Sequence, residues 1–173
     1  MATSKRRNPL GRRQADAVVA RAVRLAALDA LARRDHASAD LRRKLLEKGY
    51  DAALVAALLD ALRAEKLLDD QRYAANFVAY HAAKGQGPVR VRAELLRLGL
   101  EGPLVEGCLD AFPDWIVHLR QARQKKFGPA LPKTGADRQR QARFLGYRGF
   151  TSAQIRTALG FDIDLDAADT DET

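Results

Sequence analysis

Cysteine is nearly absent: the 173-residue chain has one, Cys108, so neither an internal disulfide nor a multi-cysteine zinc site can form. Histidine is almost as scarce, and His36, His81 and His118 stand too far apart for metal-ligand spacing. No apolar run approaches the roughly eighteen residues that a membrane span needs. The basic start MATSKRRNPLGRR is not followed by the apolar core of a secretory signal. A soluble, cytoplasmic protein without cofactor, metal or membrane partner is expected. Sustained strand alternation is also missing, which points to an all-α fold.

Catalytic groupings are equally thin. The stretch KGQGP, Lys84 to Pro88, lacks the Gly-Lys-Ser/Thr ending of a phosphate loop. Asp69 and Asp70 are adjacent, so their carboxylates diverge, and no further acidic ligand accompanies them. A helix-start cap suits them better than a metal pair. Cys108 occupies a column shared with Leu58 and Ala158 and is read as a small buried apolar residue. Tyr73, Phe77, Tyr80 and His81 fall at helical spacing and are read as core. No catalytic residue is assigned, and the chain is not expected to be an enzyme.

What the chain does have is a repeat. Aligning it on Gly49, Gly99 and Gly149 brings Leu45, Leu95 and Leu145 into one column and Tyr50, Leu100 and Phe150 into another. Val55, Val105 and Ile155 form a third, and Leu59, Leu109 and Leu159 a fourth. A helix stops readily at a glycine, which takes a positive φ without a Cβ penalty, and the next residue then packs on the residue at C3. Each glycine therefore predicts a helix stop, a tight turn and a new helix. Asp51 and Thr151 are placed to cap the new helix, Gln154 to complete a capping box, and Pro103 to sit in its first turn. Breaks at RDHAS, KGQGP and FGPALPKTG precede the second helix of each copy, with Ser38 as N-cap and Pro88 near N1. The prediction is an elongated tandem array of three three-helix repeats of about fifty residues, the last helix cut short. The boundaries are a basic arm over 1–16, repeats over 17–69, 70–114 and 115–160, and an acidic tail over 161–173.

Charge is unevenly spread along these segments. The formal net charge is +8, yet residues 14–114 hold equal numbers of acidic and basic residues. Residues 115–160 hold ten basic residues against Asp137 alone, and the tail FDIDLDAADTDET carries six acids and no base. Such asymmetry suggests a polyanionic or acidic partner.

Three stretches carry a family resemblance: ALDALARRDHASADLRRKLLEKGYD (27–51), LLDDQRYAANF (67–77) and KGQGPVRVRAELLRLGL (84–100). Together, in that order and spacing, they closely resemble the RecX family of bacterial recombination regulators, over roughly residues 17 to 160. The third repeat departs most, through its longer FGPALPKTGADRQ connection. The resemblance implies a non-enzymatic negative regulator that binds RecA filaments on DNA. It further implies inhibition of strand exchange, ATP hydrolysis and SOS repressor cleavage, with direct binding to single- and double-stranded DNA. A monomer is expected.

Read from the residues, a helix through DRQRQARFLGY buries Leu145 with Gln141 and Ala142, and turns Arg140, Arg143 and Tyr147 outward. Such a stripe can pair with phosphates while the phenol stacks on a base. Arg120, Arg123, Lys125, Lys126, Lys133, Arg138 and Arg148 complete the candidate nucleic-acid or filament contact. A helix–turn–helix repressor over residues 38–68 is a poorer reading, because DAALVAALLDAL offers no base-reading side chain before Arg63. A sequence-independent DNA-binding protein with no dedicated protein partner is the main alternative. The acidic tail is either a solvated end or a tethered competitor for the basic repeat.

Overall fold

The computed structural model of the protein describes residues 9–160. Among the described residues are nine α-helices and no strand: α1 (Pro9–Arg33), α2 (Ser38–Glu47), α3 (Ala52–Ala64), α4 (Asp70–Ala83), α5 (Pro88–Arg97), α6 (Gly102–Ala111), α7 (Trp115–Phe127), α8 (Gly135–Tyr147) and α9 (Ser152–Leu159). No helix is long and apolar enough to cross a membrane, and no group of three His, Cys, Asp or Glu could hold a metal ion among them. The chain divides into two compact units, Met1–Asp70 and Gln71–Thr173. The arm boundary placed at residue 16 falls inside α1, because Pro9 starts that helix; residues 1–8 and the acidic tail lie outside the described residues.

The repeat glycines end α2, α5 and α8 in one geometry. Gly49, Gly99 and Gly149 have φ of +85°, +84° and +87°. Each donates its N–H three residues back, to Leu46, Leu96 and Gly146. The residue after each donates to the column leucine, as in Tyr50 to Leu45, Leu100 to Leu95 and Phe150 to Leu145. Two orphan carbonyls per helix are thereby satisfied. Asp51 then accepts the N–H groups of Ala53 and Leu54 to start α3, and Thr151 forms a reciprocal capping box with Gln154 to start α9.

In the first unit α1, α2 and α3 close around Val23, Ala27, Leu41, Leu45, Val55, Leu59, Leu62 and Leu68. The start of α2 differs from expectation. Ala37 is its N-cap residue and makes no side-chain cap, whereas Ser38 is the first helical residue and its Oγ is buried without a partner. The cap comes from a distance: Asp70 Oδ1 accepts the Ser38 N–H at 2.7 Å. Beside it, His36 and Asp40 are both buried. Asp40 accepts from His36 Nδ1 at 2.8 Å and from Arg43 at 2.6 Å, with Lys44 at 3.5 Å.

In the second unit, α4 corrects the aromatic core expectation. It turns Ala74, Val78 and Ala82 inward, while Tyr73, Phe77 and His81 are half-buried and Tyr80 is 61% exposed. The small residues occupy the inward stripe and the rings lie along its flank, with Phe77 on His81 at 3.9 Å. Cys108 is half-buried in α6, and burial pushes its thiol pKa up.

The loop 84–87 docks against the end of α8. Gly87 N–H donates to the Arg148 carbonyl at 2.7 Å, and Val89 N–H to the Gly149 carbonyl at 3.0 Å. These are orphan donors at the start of α5 meeting orphan acceptors at the end of α8. The approach excludes side chains: a Cβ on Gly87 would lie 2.2 Å from Gly149 backbone, and one on Gly149 would lie 2.5 Å from Arg90 Cβ. Around Gly49, by contrast, nothing lies within 4 Å.

Two outcomes follow for stability. Gly49→Ala should cost about 1 kcal/mol through its backbone angle alone, and Gly149→Ala roughly 3 kcal/mol or more through added overlap, measured by urea unfolding. Equal costs would refute the contact. Burial raises the Asp40 pKa, but bonds from His36 and Arg43 and the charge of Lys44 outweigh it and hold the carboxyl at about 2, against 3.8 ordinarily. A depressed carboxyl stabilises the fold above its unfolded value and loses that contribution as pH falls. Ionised Asp40 should therefore contribute about 2 kcal/mol that disappears between about pH 4 and 2. Unfolding of Asp40→Asn beside the parent chain should show their stability gap closing across that window.

Candidate nucleic-acid interface

Basic side chains are neutralised unevenly along the chain. In the first unit Arg24 pairs with Glu65, Arg33 with Asp29, Arg43 with Asp40 and Glu47, and Arg63 with Asp60. In α5 Arg90 pairs with Glu94 and Arg92 with Glu106. From residue 115 to 160 Asp137 is the sole acid, and it is taken by Arg140 at 2.9 Å. Residues 115–160 contain no second carboxylate to share among the other cations of α7, α8 and α9.

The inner faces of these three helices carry Leu119, Ala142, Leu145, Ile155 and Leu159, and Phe150 joins them from the turn between α8 and α9. Arg123 joins that interior and is the clear correction to the predicted set. It is 5% exposed, and its guanidinium donates to the carbonyls of Pro129 and Ala130 at 3.0 and 2.8 Å and, at 3.4 Å, to Gln141 Oε1. Planar, forked donors suit several acceptors at once, so Arg123 fastens the connection between α7 and α8 rather than facing a partner.

On the outer side of α8, Arg140, Arg143 and Tyr147 are exposed, Tyr147 to 79%. Arg140 also lies 5.7 Å from the Phe127 ring centroid. Arg120, Lys125, Lys126 and Lys133 are exposed, and Arg138 is half-buried. Arg148 is held on two sides: Nη1 donates to the Lys84 carbonyl at 3.2 Å, and the guanidinium lies 5.3 Å over the Phe144 ring.

These groups surround a cleft of about 530 Å³ lined by the 83–85 turn, by α7 from His118 to Lys126, and by Phe144 and Arg148. Lys84, Lys125, Lys126 and Arg148 bring four cations to it, and no carboxylate lines it among the described residues. A shallower depression lined by Lys126, Phe127, Arg140 and Phe144 adjoins, sharing Lys126 and Phe144 with the cleft. Lys125, Lys126, Arg140 and Arg148 are thus drawn together, whereas Arg120, Lys133 and Arg138 line neither depression. Lys84, His118 and Phe144 escaped sequence reasoning. The only hint was the position of Lys84 in KGQGP, a loop whose packing partner lies some sixty residues on.

Fold and charge together define a class: a tandem set of three-helix units whose last unit is rich in cations and has a single acid of its own. Family descriptions match at residues 24–62 (RecX, first three-helix domain), 69–109 (RecX, second three-helix domain) and 116–159 (RecX, third three-helix domain). Regulatory protein RecX of Halorhodospira halophila is 41% identical over 152 residues, covering 87% of this chain and 91% of that one. The namesake from Pseudomonas savastanoi pv. phaseolicola is 45% identical over 130 residues, covering 75% and 84%. The chain belongs to the RecX family of regulatory proteins. A crystal structure of RecX from Lactobacillus salivarius has a TM-score of 0.73 at 17% identity, covering 83% of this chain and 96% of that one, a likeness of fold.

Arg123→Ala should free the 128–134 connection by removing donors from two carbonyls and one amide, at a cost of about 2 to 4 kcal/mol. Limited proteolysis should cut that connection faster in the variant; Arg123→Lys, a single point donor, should fall between. An unchanged cleavage rate would contradict the anchoring role.

Proposed function

We propose that this protein is a negative regulator of the RecA recombinase. In this reading it binds RecA filaments on DNA and inhibits strand exchange, ATP hydrolysis and SOS repressor cleavage, without catalysis of its own. The third repeat supplies the DNA-facing surface through Lys125, Lys126, Arg140, Arg143, Tyr147 and Arg148, with Arg120, Lys133 and Arg138 adding positive field. The supporting observation is the run of cations and aromatic rings around the two joined depressions, whose described lining includes no carboxylate, Arg140 alone among those cations being paired, with Asp137 at the side. Phosphates are met by charge, rings stack on bases, and neither demands a particular sequence. Linked units lying in a filament groove would block entry of a second DNA or of a repressor.

The effect on ATP hydrolysis by RecA already assembled on single-stranded DNA tests this reading. Substoichiometric protein should still inhibit when free single-stranded DNA is added in excess. Complete loss of inhibition, with DNA binding intact, would leave a plain DNA-binding protein in its place. Binding should be salt-dependent, with log K against log salt sloping at about −3.5 on single strands if about five phosphates are neutralised. Arg140→Glu with Arg143→Glu should leave the fold intact and weaken DNA binding about tenfold or more at low salt.

A further inference from the structure

The cleft beside the 83–85 turn has features that phosphate attraction alone does not call for. It is a concavity of about 530 Å³, more enclosed than the depression beside it. Ala83 and Ala122 keep it open, being the smallest side chains on its walls that carry a Cβ. Its depth is set by backbone: Gly85 has a φ of +74°, and a Cβ there would lie 2.9 Å from Ala122 Cβ.

The Phe144–Arg148 pair forms one wall already ordered. The Phe144 ring beneath it and the bond to the Lys84 carbonyl restrain the Arg148 side chain, so a ligand settling there would have less to immobilise. His118 and Gln121 line the same cleft. Lys84, Lys125 and Lys126 are exposed, placing their charge at the mouth.

Anionic at one end, flat and partly polar at the other: we infer that the cleft receives one unstacked nucleotide of a single strand. Its phosphate lies among Lys84, Lys125 and Lys126, and its base lies against the Phe144–Arg148 pair. This deepens the DNA-binding part of the function proposed above and rests on it. A duplex cannot use the cleft, because its bases are paired and stacked, whereas a splayed base can enter and stack on a ring or guanidinium plane. An acidic peptide would satisfy the lysines but leave the wall uncovered.

The test compares two strands with the same phosphates, an oligothymidylate and its fully abasic counterpart, for binding to the full chain. The thymidylate strand should bind about tenfold more tightly, as stacking of one base allows. Ala83→Trp fills the cleft without changing charge. It should reduce the preference to about twofold or less, with helicity by circular dichroism unchanged. Lys125→Glu with Lys126→Glu should weaken both strands in parallel. Independently of any variant, a 2-aminopurine placed in the strand should be quenched on binding.

Equal binding of the two strands, or a preference that survives in well-folded Ala83→Trp, would overturn the proposal, as would an unquenched 2-aminopurine. Displacement of the strands by polyglutamate, with no base preference, would assign the cleft to an acidic segment and equally overturn it. In these cases the DNA-binding reading stands if both strands still bind. Failure to bind either strand would sink that reading itself.

Discussion

At the junction of α5 and α8, two helix ends complete each other. A helix start leaves N–H groups without partners and a helix end leaves carbonyls, and here Gly87 and Val89 donate to the carbonyls of Arg148 and Gly149. The macrodipoles meet with opposite sign, which favours the contact further. Everything near the cleft depends on this seam. It presses the 84–87 loop onto the third repeat, brings Lys84 beside Arg148, and sets the Gly85 backbone against Ala122. The geometry needs glycine on both sides, since either Cβ would overlap backbone. The start of α2 solves the same problem with a carboxylate, that of Asp70, and the start of α8 with its own Thr134. Three copies of one helix thus use three different sources of acceptor.

Charge follows a second division of labour. The first unit surrounds its buried carboxylate, Asp40, with His36, Arg43 and Lys44, so its cations are spent on folding. The third repeat buries one guanidinium, Arg123, against neutral acceptors and leaves most of the others at the surface. Neutral carbonyls hold a cation without cancelling its field. Even the structural arginine therefore adds to the positive potential of that repeat.

Local signals were legible in the sequence, and long-range ones were not. The glycine stops, the Asp51 and Thr151 caps and the prolines that open α5 and α6 are decided by residues within a turn or two, so columns in the repeat expose them. So is the inward side of α8, because Gln141, Ala142 and Leu145 share one helical stripe. Three features are not fixed by a local pattern. The Ser38 N–H finds Asp70 far along the chain, Arg123 finds a nearby loop whose path no periodicity fixes, and α4 turns the stripe of Ala74, Val78 and Ala82 inward. Aromatic residues at helical spacing look like a core from sequence, yet here the smaller stripe is the buried one.

The seam also imposes an order on biosynthesis. Lys84 and Arg148, which it joins, are separated by 64 positions, and a ribosome delivers the earlier one first. Until α8 emerges, the opening N–H groups of α5 have only water, and the first unit, whose core comes entirely from residues already synthesised, can settle alone. The middle repeat then matures after its neighbour has been made, and a chain halted before Arg148 would carry it unfinished. A nascent polypeptide of this kind becomes competent as a whole only once α8 has been made.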